Sequence, residues 1–366
     1  MPIIRRSLAF LVFLLLTAGI SAQNPPPPAA VAPPPGQVTA PGTVGPAGFV
    51  PAPILQGGEV FLLYPARSPF LNLARVNEPE KNNMANGVPG RIQSIVNIHN
   101  PSIELHRVDR GTNTGTAIIV IAGGGHTTLN VGTEGADFVS YLYQYGVTSI
   151  ILRNRMRVDG YNAQTDSVYD AQQAIRMVRA HAQEWGIDPH KIGVMGFSAG
   201  AELAAPAAVF YDRFDQANNG AGDPLHGISS RPDFAVLVYP GPTPFARDPN
   251  TPIPKDAPPT FITCAGTDDA SHAQWSDDYF SAFLKARIPN LEMHIYGDGV
   301  HANGLKDRNG TPFGTWQDRF VDWFRDLGFL GKPGVETKAA KDVQAHVTAP
   351  PTPTRGQGRG GAPAPK

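Results

Sequence analysis

Gly196-Phe197-Ser198-Ala199-Gly200 sets a serine between two glycines, after the apolar β-type run from Lys191 to Met195 and before the helix formers Ala201 to Ala205. A Gly-x-Ser-x-Gly turn between a strand and a helix strains the serine backbone and points its Oγ away from the sheet. The glycines are needed where the helix passes close to the strand. A serine hydroxyl is a poor nucleophile at neutral pH, so Ser198 requires a base within hydrogen-bond reach and a carboxylate to hold that base. In a strand–turn–helix arrangement of this kind the acid and then the base follow the serine along the chain. His301, in the loop Gly297 to Gly304 after the last strand, is the expected base. His226 precedes the acids, His272 follows them by only a few residues, His294 alternates within a strand and His346 lies in the tail. The expected acids are Asp268 and Asp269, whose task is to accept the imidazole Nδ1 proton. Attack on a carbonyl also needs donors for the oxyanion. These are expected from the backbone of Ala199 and from Gly123 and Gly124, in the run Gly123-Gly124-Gly125-His126.

The elements that must position these groups alternate. Glu59–Tyr64 and Ser102–Arg107 read as early strands around a Pro/Asn/Gly-rich loop. Thr116–Ala122 is a near-continuous apolar run of the kind buried on both faces of a parallel sheet. A helix from Glu134 to Tyr145 carries Phe138, Leu142 and Tyr145 on one side, and Gly146 ends it. After the strand Val147–Leu152, a longer helix from about Asp166 shows Val168, Ala171, Ile175, Val178, Ala182 and Trp185 as one stripe, stopped by Gly186 and Pro189. The elbow strand, Phe234–Tyr239, the Cys264 strand and Leu291–Tyr296 complete the strands, with helices at Trp275–Ala286 and Thr315–Leu327. This order predicts an α/β protein with the α/β-hydrolase fold, a mostly parallel sheet with helices on both faces. Hydrolases of this fold often carry Gly-x-x-Asp in the loop after the Cys264 strand. Gly266-Thr267-Asp268-Asp269 has that spacing at Asp269, which is favoured over Asp268.

Composition narrows the class. The chain has 366 residues and a formal net charge of -1, so neither a nucleic-acid partner nor a solvating acidic surface is implied. Its only cysteine, Cys264, lies in an apolar strand and reads as a buried structural thiol. Arg5 and Arg6, the short apolar core Leu8–Leu16 and small residues around Ser21 and Ala22 form an export signal over residues 1–22, implying a secreted or periplasmic protein. No other stretch is long and apolar enough to span a membrane, so no membrane association is expected once the signal is removed. Residues 23–57, rich in Pro, Ala, Gly and Val, read as a disordered linker, and 332–366 as a disordered low-complexity tail. The catalytic domain is then 58–331. No cofactor is expected: no Lys-Ser/Thr follows the glycine run, no Gly-x-Gly-x-x-Gly is present, and no metal-ligand spacing occurs.

From about Glu59 to Leu330 the chain resembles the secreted acetylxylan-esterase and feruloyl-esterase-like α/β-hydrolases, a carbohydrate-esterase group. The matching stretches are Ile119–His126, Glu134-Gly135, Asp170–Arg176, Trp185-Gly186-Ile187-Asp188-Pro189 and Gly193–Gly200. The resemblance implies Ser198, one of Asp268 and Asp269, and His301 as a triad, and deacylation of plant polysaccharide esters. It departs from the group at Ala122 and His126, where Pro and Tyr are usual, and at Ala201-Glu202, where Gly-His is usual. His126 and Glu202 thus fall near the substrate cleft and bear on sugar specificity. The function expected is an exported serine carboxylesterase acting on a small-molecule or polysaccharide ester. The alternatives are a prolyl-oligopeptidase-like peptidase, for which the chain lacks a propeller-length gating region, and a non-catalytic binding module.

Overall fold

The computed structural model describes residues 41–350 apart from Arg110, Asn219, 221–222, Asp268, Asn303 and 306–310. The chain opens on the antiparallel pair β1 (Gly42–Gly45) and β2 (Gly48–Pro51), then β3 (Glu59–Leu62). A second antiparallel pair follows, β4 (Lys81–Met84) and β5 (Ile92–Val96), and after it come β6 (Ser102–His106) and β7 (Ala117–Ile121). A π-helical turn at Gly132–Ala136 leads into α1 (Asp137–Tyr143), then β8 (Thr148–Arg153), α2 (Val168–Ala180) and α3 (Ala182–Trp185). Next are β9 (Ile192–Phe197), α4 (Ala201–Val209), α5 (Tyr211–Ala217), β10 (Ala235–Val238) and α6 (Pro244–Arg247). The chain closes with β11 (Thr260–Ala265), α7 (Ala270–Ala286), β12 (Glu292–Tyr296), α8 (Trp316–Asp326) and α9 (Lys338–Thr348).

One eight-stranded sheet runs in the order β12-β11-β10-β9-β7-β8-β6-β3. It is parallel from β12 to β8, while β6 and β3 add antiparallel. The apolar run read as a central strand is β7, every residue of which is buried. Its side chains alternate between two cores. Ile119 and Ile121 join Val168, Ala171, Ile175, Val178, Leu203, Tyr279 and Phe283 under α2, α4 and α7. Ile118 and Val120 join Phe138, Leu142, Trp316, Phe320, Phe324 and Ala339 under α1, α8 and α9. Each large apolar side chain so buried contributes roughly 1.5–3 kcal/mol. Chain order reverses at β7, which lies between β8 and β9. The crevice at the carboxyl ends of β7 and β9 is therefore the switch point at which open α/β sheets hold ligands.

The structure corrects the reading of both ends. The signal segment, residues 23–40 and residues 351–366 lie outside the described residues. Residues 41–57 are ordered rather than linker: Phe49 is buried and donates its N–H to Val76 O at 2.9 Å, and Asn100 Nδ2 donates to Phe49 O at 3.0 Å. Proline and glycine content concealed this hairpin because its partners are supplied from distant residues. The pair β4–β5 was likewise read as loop, Lys81–Met84 being polar and asparagine-rich. The expected tail contains α9, capped by Thr337, whose Oγ1 accepts from Ala340 N at 3.0 Å, with Ala339 and Val343 buried. A helix this short is marginal alone and is held by packing. Cys264 is buried, which pushes its thiol up to about 11.

The N-terminal segment is fastened by a buried carboxylate. Glu104 accepts from Ile54 N at 2.6 Å and Leu55 N at 3.0 Å, and pairs with Arg153 Nη2 at 2.9 Å. Glu80, buried beside them, is pushed up to about 7 by burial, with Arg153 opposing and Glu104 reinforcing. The folded chain thus binds this proton more tightly than the unfolded chain. Glu80 therefore costs stability increasingly as pH rises from the ordinary carboxylate range towards its folded value. Thermal denaturation of Glu80→Gln is expected to show a smaller fall in Tm than wild type between about pH 5 and about pH 8; an equal fall would show that Glu80 does not titrate in this way.

Candidate active site

Ser198 stands between β9 and α4 with φ of 51°, a left-handed value that a non-glycine residue adopts only under constraint. The constraint is close packing. A Cβ at Gly200 would lie 2.0 Å from Ile121 O, and one at Gly196 would lie 2.4 Å from Gly200 O, so α4 crosses β7 and β9 at contact distance. Ser198 N donates to Val238 O at 3.0 Å, while its carbonyl accepts from Glu202 N at 3.0 Å and Gly241 N at 3.2 Å. The backbone is held on both sides and the half-buried side chain projects into the crevice.

His301 Nε2 lies 2.9 Å from Ser198 Oγ, and His301 Nδ1 lies 2.7 Å from Asp269 Oδ2. Asp269, at the start of α7 after β11, thus occupies the acid's place; Asp268 lies outside the described residues. Burial favours the neutral acid at Asp269, but hydrogen bonds with His272 and His301 outweigh it and bring the group down to about 2. His272, set aside as base for its nearness to the acid, is that close: its Nδ1 bonds Asp269 Oδ1, and its ring lies 4.1 Å from the His301 ring, centroid to centroid. The carboxylate therefore has an imidazole on each oxygen, and only the His301 imidazole is bonded to Ser198.

The glycine run follows β7 and faces the elbow. Gly123 does not offer the free donor expected of it: its N–H donates to Glu134 Oε2 at 2.8 Å. The N–H groups of Gly124 and Ala199 have no hydrogen-bond partner among the described residues, so of the three expected donors these two are left unspent. Glu134 is 1% exposed and also accepts from Tyr239 Oη at 2.9 Å through Oε1. Tyr239, at the end of β10, accepts from Gly304 N at 3.3 Å, and its ring lies 4.7 Å from that of His301, inclined at 59°. One buried carboxylate thus ties the glycine run to the loop that carries His301. On the other side, His126 Nε2 lies 3.0 Å from Glu202 Oε2. Glu202, one turn after Ser198 on α4, also accepts from Gln164 Nε2 at 2.9 Å and from Arg247 Nη2. Burial raises the Glu202 carboxyl, and its bond to His126 leads the effects that bring it net below the usual range.

The BD-FAE family profile matches residues 103–236 of this chain. An acetylxylan esterase of Xylanibacter ruminicola is 29% identical over 127 residues, 35% of this chain and 23% of that protein. A probable carboxylic ester hydrolase, LipM, of Mycobacterium tuberculosis is 26% identical over 202 residues, 48% of this chain and 45% of that one. The chain spans less than half the length of these curated relatives. An acetyl ester-xyloside bifunctional hydrolase from Caldicellulosiruptor lactoaceticus superposes with a TM-score of 0.59 at 25% identity, covering 75% of this chain and 98% of that one. A thermophilic esterase from the Planctomycetes species Thermogutta terrifontis superposes at 0.56 with 21% identity, covering 76% and 96%. The chain is an α/β-hydrolase. Within that fold it resembles the esterases of the acetylxylan-esterase-like group.

Two side chains of this α/β-hydrolase site were not read from the sequence as functional. Tyr239 looks like the last residue of an apolar strand, and Glu134 is one acidic residue in a Gly-Thr-Glu-Gly turn. The available signal was a hydroxyl at the carboxyl end of the strand beside the nucleophile's. If Glu134 positions both loops, Glu134→Ala should lower kcat for an activated ester by about ten- to a hundredfold, with a smaller change in KM. Glu134→Gln keeps an acceptor for Gly123 and should recover most of the loss; steady-state kinetics of the two variants measures this.

Proposed function

We propose that this chain is an exported serine carboxylesterase that deacylates a carbohydrate ester such as acetylated xylan. The observation that carries the proposal is the continuous relay from Ser198 Oγ through His301 at 2.9 Å to Asp269 at 2.7 Å. His301 Nε2 takes the hydroxyl proton as Oγ attacks the ester carbonyl, and Asp269 stabilises the imidazolium through Nδ1–H. The N–H groups of Gly124 and Ala199 receive the negative oxygen of the tetrahedral intermediate. The imidazolium protonates the departing alcohol, leaving an acyl-Ser198, and His301 then activates water to release the acid and restore the hydroxyl.

A polar alcohol suits the surroundings. A cleft of about 270 Å³ opens beside Glu202, lined by Gln164, Arg213, Arg247 and Thr251 among others. Its polar groups can meet the hydroxyls of a sugar, while Phe210 and four prolines on the same cleft can pack on the ring carbons. The similarity to an acetylxylan esterase and to an acetyl ester-xyloside bifunctional hydrolase supports the same choice. The N-terminal basic and apolar pattern supports export.

Ser198→Ala is expected to lower kcat on p-nitrophenyl acetate by about six orders of magnitude, since nucleophile and base act as a unit. Wild type should release acetate from acetylated xylan and leave a proline anilide intact; the opposite preference would favour a peptidase. Because Asp269 titrates at about 2, the fall in kcat/KM on acidification should be a single step reporting the imidazole, without a second step from the acid. Mass spectrometry of the exported chain is expected to find its N-terminus just after Ala22, and an intact Met1 would contradict export by cleavage.

A further inference from the structure

We infer that Asp269, His272 and His301 together bind a borderline transition-metal ion such as Zn²⁺, and that its binding switches the catalytic relay off. The binding rests on geometry alone, and the switching rests on the esterase reading above.

The two histidines address one carboxylate from the same side. His272 Nδ1 bonds Oδ1 and His301 Nδ1 lies 2.7 Å from Oδ2, with the rings inclined at 34°. One donor atom from each of the three residues falls within 4.8 Å of the others. Nitrogen and oxygen ligands sit about 2.0–2.2 Å from zinc, so an ion placed among these atoms reaches all three with side-chain rotations. Three protein ligands leave the fourth tetrahedral position to water. Two imidazoles and one carboxylate select zinc, copper or nickel over magnesium or calcium, which prefer sets of oxygens. The ion has a way in, because the side chains of His272 and His301 are 21% and 33% exposed.

None of this is visible as spacing. His272 follows Asp269 on the first turn of α7, and His301 comes from the loop beyond β12. The linear sequence separates these donors, and the fold brings them together from two segments.

Occupation would stop the chemistry through the tautomer. A neutral imidazole that gives its Nδ1 lone pair to a metal carries its single ring proton on Nε2. In His301 that proton moves from Nδ1 to Nε2, and no net proton is released. Nε2 then donates to Ser198 Oγ and has no lone pair to accept the hydroxyl proton, so attack on the ester is blocked. The same shift in His272 frees its Nδ1 for the ion.

The test uses the full chain carrying Ser198→Ala, which keeps all three ligands and does not depend on turnover. Calorimetric titration with Zn²⁺ should show one site, and Mg²⁺ or Ca²⁺ at the same concentration should show none. Adding His272→Gln, which retains an N–H for Asp269 but no imidazole, should weaken zinc binding at least about tenfold. His181→Ala, at an exposed histidine elsewhere, should leave it unchanged. In wild type, Zn²⁺ should inhibit p-nitrophenyl acetate hydrolysis, a chelator should restore it, and the inhibiting concentration should rise at least about tenfold in His272→Gln. Absence of zinc binding to the Ser198→Ala chain, or equal affinity with His272→Gln, overturns the inference. Zinc binding without esterase activity in wild type would instead contradict the proposed function and leave the metal site standing.

Discussion

The close crossing of α4 over β7 and β9 is the constraint on which the rest of this molecule depends. No side chain larger than hydrogen fits at Gly200, where the nearest carbonyl would lie 2.0 Å from a Cβ. That contact bends the backbone at Ser198 into a left-handed conformation and lifts its hydroxyl above the ends of the strands. The sheet reverses its chain order at the same place, so the glycine run after β7 and the elbow after β9 are neighbours because of the topology. A larger hollow of about 650 Å³ lies against α9, beside the amino ends of β9 and β10 and away from this hydroxyl.

Around the elbow, three buried or half-buried carboxylates do separate jobs, and each is pinned by more than one donor. Asp269 is bonded by two imidazoles, Glu134 by a backbone N–H and a phenol, and Glu202 by an imidazole, an amide and a guanidinium. Charge taken from water is costly unless it is compensated, and these bonds supply the compensation while fixing orientation. The result is a cleft whose two walls, the glycine run and the His301 loop, are fastened to each other through Glu134 and Tyr239. Geometry of this kind is set before a substrate arrives, which is what electrostatic stabilisation of an oxyanion requires.

Most of the sheet could be read from the chain because its strands are buried on both faces. Such strands appear as mainly apolar runs: β7 and β10 are wholly apolar, β9 is broken only by glycines, and β8 and β11 carry a few hydroxyl residues among apolar ones. The helices α2 and α8 were equally legible, since each buries one stripe of residues. The peripheral elements were not. The hairpin β1–β2 sits in proline-rich sequence, β4 is polar, and α9 stands just before a Pro/Gly-rich stretch. Each is stabilised by residues far away in the chain, as Phe49 is by Val76 and Asn100, so no local window contains the reason for its order.

What the sequence determined by itself was the local chemistry: a serine in a turn that only glycines permit, and a histidine and an aspartate placed after successive strands. These follow from propensity and periodicity over a few residues, where cause and effect lie in the same window. Only the tertiary structure decided who bonds whom. It put His301 on the serine and His272 on the far oxygen of the same carboxylate, and it turned the Gly123 N–H away from the cleft to Glu134. A hydrogen bond is made or lost over a few tenths of an ångström, and its partners here are separated by as many as 103 positions. Distances that fine are fixed by the packing of the whole sheet and its helices, and by nothing shorter.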